Sequence, residues 1–166
     1  VTYTHCPHCG TPYADAHGWP RTCAACHESV YRNPLPVAVA LLPVRTADGV
    51  GLLVITRAIE PRCGGVALPG GFIDHGEDWR EATVRELREE TGIVAAARDV
   101  RLADALSSPA DHLLLFGLLP TVAATSLPVA APTAETTGWH LLHTPAELAF
   151  PLHTEAARAW FNGFYT

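Results

Sequence analysis

Four of the five cysteines stand in two short pairs, Cys6 with Cys9 and Cys23 with Cys26, thirteen residues apart. The stretch that carries them, residues 1–33, is rich in Cys, His, Gly and Pro and poor in aliphatic side chains. A segment this short and this polar buries too little apolar surface to offset the entropy of ordering it. Something other than a core must hold it. Each C-x2-C knuckle brings two thiolates to one point, and two knuckles complete a tetrahedral sulfur set. That set fits a Zn2+ ion, whose binding free energy then becomes folding free energy. With four protein ligands the ion has no open position, so its role is structural. Two alternatives stand beside this reading. One is disulfides or free thiols, of which a cytoplasmic setting disfavours the disulfides. The other is replacement of one cysteine ligand by His5, His8 or His27, each of which adjoins a pair. Cys63 lies far away, with no activating partner evident.

Beyond residue 33 the composition changes, and residues 34–166 read as one main domain. "VAVALLPV" (37–44) predicts a buried strand, "TADG" (46–49) a turn, and "GLLVITR" (51–57) its antiparallel partner. Residues 60–78 form a loop dense in Gly and Pro. Asp78 is placed to cap a following helix, with Glu81 closing a capping box and Gly92 ending it. Residues 100–108, 112–122 and 137–143 predict further strands, 123–134 a flexible loop, and 154–164 a C-terminal helix. Strands and helices are interspersed with apparent antiparallel neighbours, which predicts an α+β fold with a mixed sheet.

Charge removes several classes. The formal net charge is −6 and there is no long basic run, so a broad electrostatic grip on nucleic acid is not expected. Arg21 and Arg32, near the cysteines, are few and scattered, which favours a structural or homodimer-forming ribbon. No apolar run approaches the roughly 20 residues that span a bilayer. A cytoplasmic protein without membrane contact is the expectation.

The stretch "RELREETGI" (85–93) crowds Glu86, Glu89 and Glu90 together. At about 100° per residue the three carboxylates fall within an arc of about 100°, while Val84, Leu87 and Thr91 fall on another side. Like charges at this spacing cost a helix a few tenths of a kcal/mol and resist ionising together without a cation. Arg85 can pair with Glu89 one turn on, which leaves Glu86 and Glu90 short of cations. Hard oxygen ligands suit Mg2+ or Mn2+ and a phosphate substrate. A solvated helix face is the competing account.

The preceding loop decides between them. From Gly71 the chain matches G-x5-E-x7-R-E-U-x-E-E-x-G-U, with U a bulky aliphatic, through Glu77, Arg85, Glu86, Leu87, Glu89, Glu90, Gly92 and Ile93. At typical residue frequencies a chance match is rarer than about one in a million. The chain resembles the Nudix hydrolases, and the ribbon followed by "YRNP" is similar to their zinc-ribbon-bearing branch. The resemblance implies a loop–helix–loop on an α/β/α sandwich with a mixed sheet. It implies hydrolysis of a nucleoside diphosphate linked to another group. It implies that Glu86, Glu89, Glu90 and the carbonyl of Gly70 hold the divalent metal, with Glu77 and Arg85 in support. The general base is Glu86, Glu90 or, from a later loop, Glu135. Arg57 is a phosphate contact or a partner of Glu60. Phe72 and His112 line the cleft, and Trp79 packs. The branch includes NADH pyrophosphatases, whose S-Q-P-W-P-F-P-x-S motif survives here only as Ser107 and Pro109. ADP-ribose or a related dinucleotide is therefore the leading substrate class. NAD(H) pyrophosphatase activity and a non-catalytic nucleotide-sensing or nucleic-acid-binding protein are the alternatives.

Overall fold

A computed structural model describes residues 3–14 and 18–165. The chain divides into two compact units, Val1–Pro34 and Leu35–Thr166. Residues 1, 2, 15–17 and 166 of the two expected segments lie outside the described residues.

In the first unit both cysteine pairs close knuckles of one design. Gly10 N–H donates to the Cys6 carbonyl and His27 N–H to the Cys23 carbonyl, each at 2.9 Å. The Cys6 N–H donates to the Thr11 carbonyl and the Cys23 N–H to the Glu28 carbonyl, also at 2.9 Å. Gly10 (φ 75°) and His27 (φ 62°) occupy the same left-handed position in the two turns. A bridge between His5 and Pro12 flanks the first knuckle. Strands β1 (Arg21–Thr22) and β2 (Ser29–Val30) flank the second.

The second unit contains β3 (Leu35–Leu41), β4 (Pro43–Thr46), β5 (Gly49–Arg57), β6 (Val66–Ala67), β7 (Gly70–Phe72), α1 (Trp79–Thr91), β8 (Arg101–Ser108), β9 (His112–Leu118), β10 (Val122–Ala123), β11 (Thr136–Leu142) and α2 (Pro151–Phe161). One sheet runs β7-β3-β9-β8; the other runs β10-β4-β5-β11, with β6 added to β5. Both are mixed, because β3 pairs parallel with β9, and β4 with β10, amid antiparallel neighbours. The result is the expected α/β/α sandwich. On one side Leu87 of α1 packs with Ala40, Leu42, Val44, Leu53 and Val100. On the other, Ala156 and Ala157 of α2 pack with Val39, Leu41, Leu52, Val54 and Phe116.

Several expected elements change on folding. "VAVALLPV" is two strands in two sheets, not one. Pro43 has no N–H to continue a ladder, and the chain crosses between sheets at Leu42. Leu41 there accepts from the Leu119 N–H and Leu42 from the Leu53 N–H, both at 3.0 Å. The 112–122 run likewise breaks before Pro120 into β9 and β10. The 60–78 loop contains β6 and β7, which are too short to show a hydrophobic period. The C-terminal helix begins at Pro151, three residues before the expected start, because proline suits the first helical position. Gly92 (φ 75°) ends α1 as expected. Asp78 caps α1 by accepting from the Arg80 N–H at 2.8 Å; among the described residues Glu81 returns no bond, so the capping box does not form.

Candidate active site

Helix α1 and strand β7 build an acidic centre by close approach. A side chain at Gly71 would put its Cβ 2.5 Å from Glu86 Oε1, so glycine there is what admits the Glu86 carboxylate. At Gly70 a Cβ would overlap the Ala38 carbonyl across the β3–β7 pairing. The Gly70 N–H donates to Glu90 Oε2 at 2.9 Å. The sequence-level view of a packed face opposite an acidic face fails at Glu90. That residue is 3 % exposed and shares the buried side of α1 with Ala82, Thr83, Leu87 and Thr91. Burial raises its carboxyl to about 8, against the pull of the Gly70 N–H, and the charges of Glu86 and Glu135 add to the rise. Glu86 is pushed up by burial too, with Arg85 opposing and Glu89 and Glu135 reinforcing.

Arg85 organises the rim. Its five N–H donors all find acceptors. Nε and Nη2 grip the two oxygens of Glu77 at 2.8 and 2.9 Å. Nη1 reaches Glu86 Oε1 at 2.7 Å and Glu89 Oε2 at 3.3 Å. Nη2 also reaches the Phe72 carbonyl at 3.0 Å. The guanidinium holds the Glu77 carboxyl down at about 2. The pairing expected from spacing, Arg85 with Glu89, is therefore the longest of a set that reaches across to the loop.

Glu135, remote in sequence, adds a negative charge that raises both the Glu86 and the Glu90 carboxyl. The chain around it is pinned, since the Ala58 N–H donates to the Glu135 carbonyl at 2.7 Å and the Thr136 hydroxyl to the Glu90 carbonyl at 2.9 Å. Arg57 makes no ion pair with Glu60 among the described residues. Its Nε donates to the Pro61 carbonyl at 2.9 Å and its guanidinium lies over Phe150. Phe72 is exposed and sits against His112, ring centroids 5.7 Å apart. Trp79 packs into the apolar cluster under α1, with Arg80 over its outer face.

Among the described residues, the four cysteines are the group whose donor atoms converge to within 4.8 Å and could hold a metal ion. Sulfur pairs lie 3.7 Å apart (Cys6 and Cys26) and 3.6 Å apart (Cys9 and Cys23). Bonds of about 2.3 Å in a tetrahedron put sulfurs about 3.8 Å apart, so the set fits Zn2+ and is far too open for a disulfide. His5, His8 and His27 are not in it. The carboxylates of α1 do not converge in this way. Glu86 and Glu89 turn to Arg85 and Glu90 to the Gly70 N–H, and like charges repel one another. Their residue types and the nearly dry position of Glu90 still fit a hard divalent cation, which would supply the charge that Glu86, Glu90 and Glu135 lack.

Compared with known proteins, the NUDIX domain model matches residues 34–163. The chain belongs to the NUDIX family. A relative named ADP-ribose pyrophosphatase, from Methanocaldococcus jannaschii, is 42% identical over 79 residues, covering 48% of this chain and 45% of that protein. The NAD-capped RNA hydrolase NudC of Edwardsiella ictaluri is 27% identical over 127 residues, 76% of this chain and 47% of that one. The chain thus spans under half the length of these curated relatives. The NUDIX hydrolase structure from Nitrosomonas europaea superposes with a TM-score of 0.68 at 21% identity, over 96% of this chain and 90% of that one, and so shares the fold.

Within the NUDIX unit two positions had no sequence signal. Thr136 ties the Glu135 segment to α1, but a threonine opening a strand is unremarkable in a sequence. His153 is buried in α2, and its Nδ1 accepts from the Leu68 N–H at 3.2 Å, just before Gly70. A histidine among apolar helix residues does not announce a backbone partner 85 residues away. Among the described residues no helix is long and apolar enough to cross a membrane.

Proposed function

We propose that this NUDIX protein is a divalent-metal-dependent pyrophosphohydrolase whose substrate is a nucleoside diphosphate linked to a second group, of the ADP-ribose or related dinucleotide class. The observation that carries the reading is the buried Glu90 carboxylate, held by one backbone donor and surrounded by the charges of Glu86 and Glu135. Such a centre is stable in its ionised form only beside a cation. In this reading Glu86, Glu89, Glu90 and the Gly70 carbonyl hold Mg2+ or Mn2+. The bound ion would neutralise charge on the phosphate oxygens and acidify a water molecule. A carboxylate of Glu86, Glu90 or Glu135 takes the proton from the attacking water. Glu77 acts through Arg85, whose bonds fix Glu86 and the Phe72 backbone. Among the described residues Arg57 gives only its Nε to a protein side-chain bond, so in this reading its terminal nitrogens meet a phosphate, and Phe72 with His112 offers the substrate an aromatic surface. Residues 1–33 form a structural zinc ribbon, a site for homodimer contact, and 34–166 the hydrolase domain. The protein is read as cytoplasmic, a reducing setting in which the four thiols stay available to a metal ion.

The test is a substrate panel with Mg2+ or Mn2+: ADP-ribose, NADH, NAD, diadenosine polyphosphates, nucleotide sugars, coenzyme A, capped RNA and nucleoside triphosphates. Products are separated by chromatography, with Glu90→Gln as control. Metal-dependent release of a nucleoside monophosphate from ADP-ribose, by wild type alone, supports the reading. Preferential cleavage of NADH or NAD-capped RNA moves the assignment to the NAD(H) alternative. Binding of ADP-ribose without turnover marks a sensor.

A further inference from the structure

Helix α2 starts on a residue that does not suit the position. Phe150 is its N-cap and makes no side-chain cap bond. Ser, Thr, Asp or Asn there would satisfy an N–H of the first turn, which phenylalanine leaves without a side-chain acceptor. A local rule broken in this way points to another use for the side chain. The backbone that carries the ring is firmly held. The Ala149 N–H donates to the Val66 carbonyl at 2.7 Å and the Thr154 N–H to the Phe150 carbonyl at 3.1 Å. The Thr154 hydroxyl accepts from the Leu148 N–H at 2.9 Å.

What the half-buried ring meets is Arg57. The guanidinium carbon lies 5.3 Å from the ring centre, within cation–π reach. The ring has a firm support in His153, whose own ring packs against it with centroids 5.1 Å apart. His153 is buried, is tied through Nδ1 to the Leu68 N–H, and meets the core residue Phe116 edge-on at 6.1 Å. Arg57 is constrained from its own strand as well. Its Nε donates to the Pro61 carbonyl at 2.9 Å. Its cross-strand partner in β11 is Thr136, whose hydroxyl donates to the Glu90 carbonyl. The guanidinium is thus rooted one strand from the acidic helix. A bond at Nε and a ring against the guanidinium leave the terminal nitrogens as a fork, which matches two phosphate oxygens. An arginine ordered before the phosphate arrives loses less entropy on binding it.

We propose that Phe150 is a positioning residue for the hydrolase: its ring carries the Arg57 guanidinium and, with the Pro61 carbonyl, aims the terminal nitrogens at a phosphate of the substrate. This rests on the reading of Arg57 as a phosphate contact.

The experiment is a double-mutant cycle on the full chain, with ADP-ribose and Mg2+ as the probe. Wild type, Phe150→Leu, Phe150→Tyr, Arg57→Ala and the Phe150→Leu/Arg57→Ala double variant are compared by kcat, KM and thermal midpoint. ADP-ribose affinity is measured by calorimetry in the Glu90→Gln background. Phe150→Leu should lower kcat/KM and affinity about 10-fold, and Phe150→Tyr, which restores the aromatic face, should stay within about 3-fold of wild type. Arg57→Ala should lower kcat/KM more than about 10-fold. The double variant should then be no worse than Arg57→Ala alone, because the ring acts only through the arginine. Additive losses in the double variant overturn the proposal and make Phe150 a packing residue. If Phe150→Leu does not fold, stepwise fluorination of the Phe150 ring decides instead. Fluorine withdraws charge from the ring face and nearly keeps its shape, so kcat/KM should fall with each step, and a flat series overturns the proposal. A harmless Arg57→Ala removes the phosphate role of Arg57 and this inference with it. A wild type that neither cleaves nor binds ADP-ribose removes the ADP-ribose reading and the inference together.

Discussion

Glu89 and Glu90 are neighbours in sequence and opposites as carboxylates. The Glu89 side chain is 51% exposed and meets one guanidinium nitrogen; Glu90 is 3 % exposed and meets one backbone N–H. Ionising Glu90 in that position is costly, so it is the residue whose charge most needs a cation. Glu90→Gln should lower kcat by about 10²- to 10⁴-fold. Its thermal midpoint should hold or rise, because an amide replaces a buried ionisable group. Equal loss of activity and stability, by steady-state kinetics and calorimetry, would return Glu90 to a structural role. Gly71→Ala is the complementary test. The added methyl meets Glu86 at 2.5 Å and must displace its carboxylate. Misplacement of about 1 Å is expected to cost on the order of 100-fold in kcat with the fold retained, as circular dichroism would report. The spacing of the glutamates was legible in the sequence. Their graded burial was not, because it depends on β7 lying against α1.

At the scale of elements, the site depends on segments held together by side chains reaching to backbone. Arg85 links α1 to the loop before it through both oxygens of Glu77 and the Phe72 carbonyl. Lysine cannot reproduce that planar fork. Arg85→Lys should therefore lower kcat at least about 10-fold while moving KM little, measured with saturating metal. Helix α2 reaches the same loop from the other side through His153 and the Leu68 N–H. Burial, then Arg57, lowers the His153 imidazole to about 4. Its folded pKa lies below the ordinary 6.5. The neutral ring therefore contributes fully above pH 6.5, and its contribution is lost as pH falls towards 4. The difference is on the order of 3 kcal/mol. Urea midpoints of wild type should fall across this window more steeply than those of His153→Gln, which keeps an acceptor but cannot titrate. Parallel pH curves would remove the role. Helix α1 was readable from its cap, motif and glycine stop. The split of "VAVALLPV" was not, since a continuous apolar run looks alike whether it serves one sheet or two.

For the whole molecule, the two units rest on different physics. Leu35–Thr166 holds a core of aliphatic strands between two helices. Val1–Pro34 holds converging thiols. Chelator treatment, or Cys23→Ser, should unfold the ribbon before the larger unit, seen as amide signals of residues 3–33 collapsing while those of the core persist. A folded, fully active preparation with no zinc would remove that expectation. The sequence by itself determined the division into a core-poor and a core-rich segment, the sulfur set, and the family, because each depends on residue type at fixed short spacing. Only the tertiary structure decided which glutamate is buried, that the charge of Glu135 reaches Glu86 and Glu90, that Arg57 turns to Pro61, and that His153 faces the Leu68 N–H. Those relations join residues distant in sequence, and burial and charge act through space rather than along the chain.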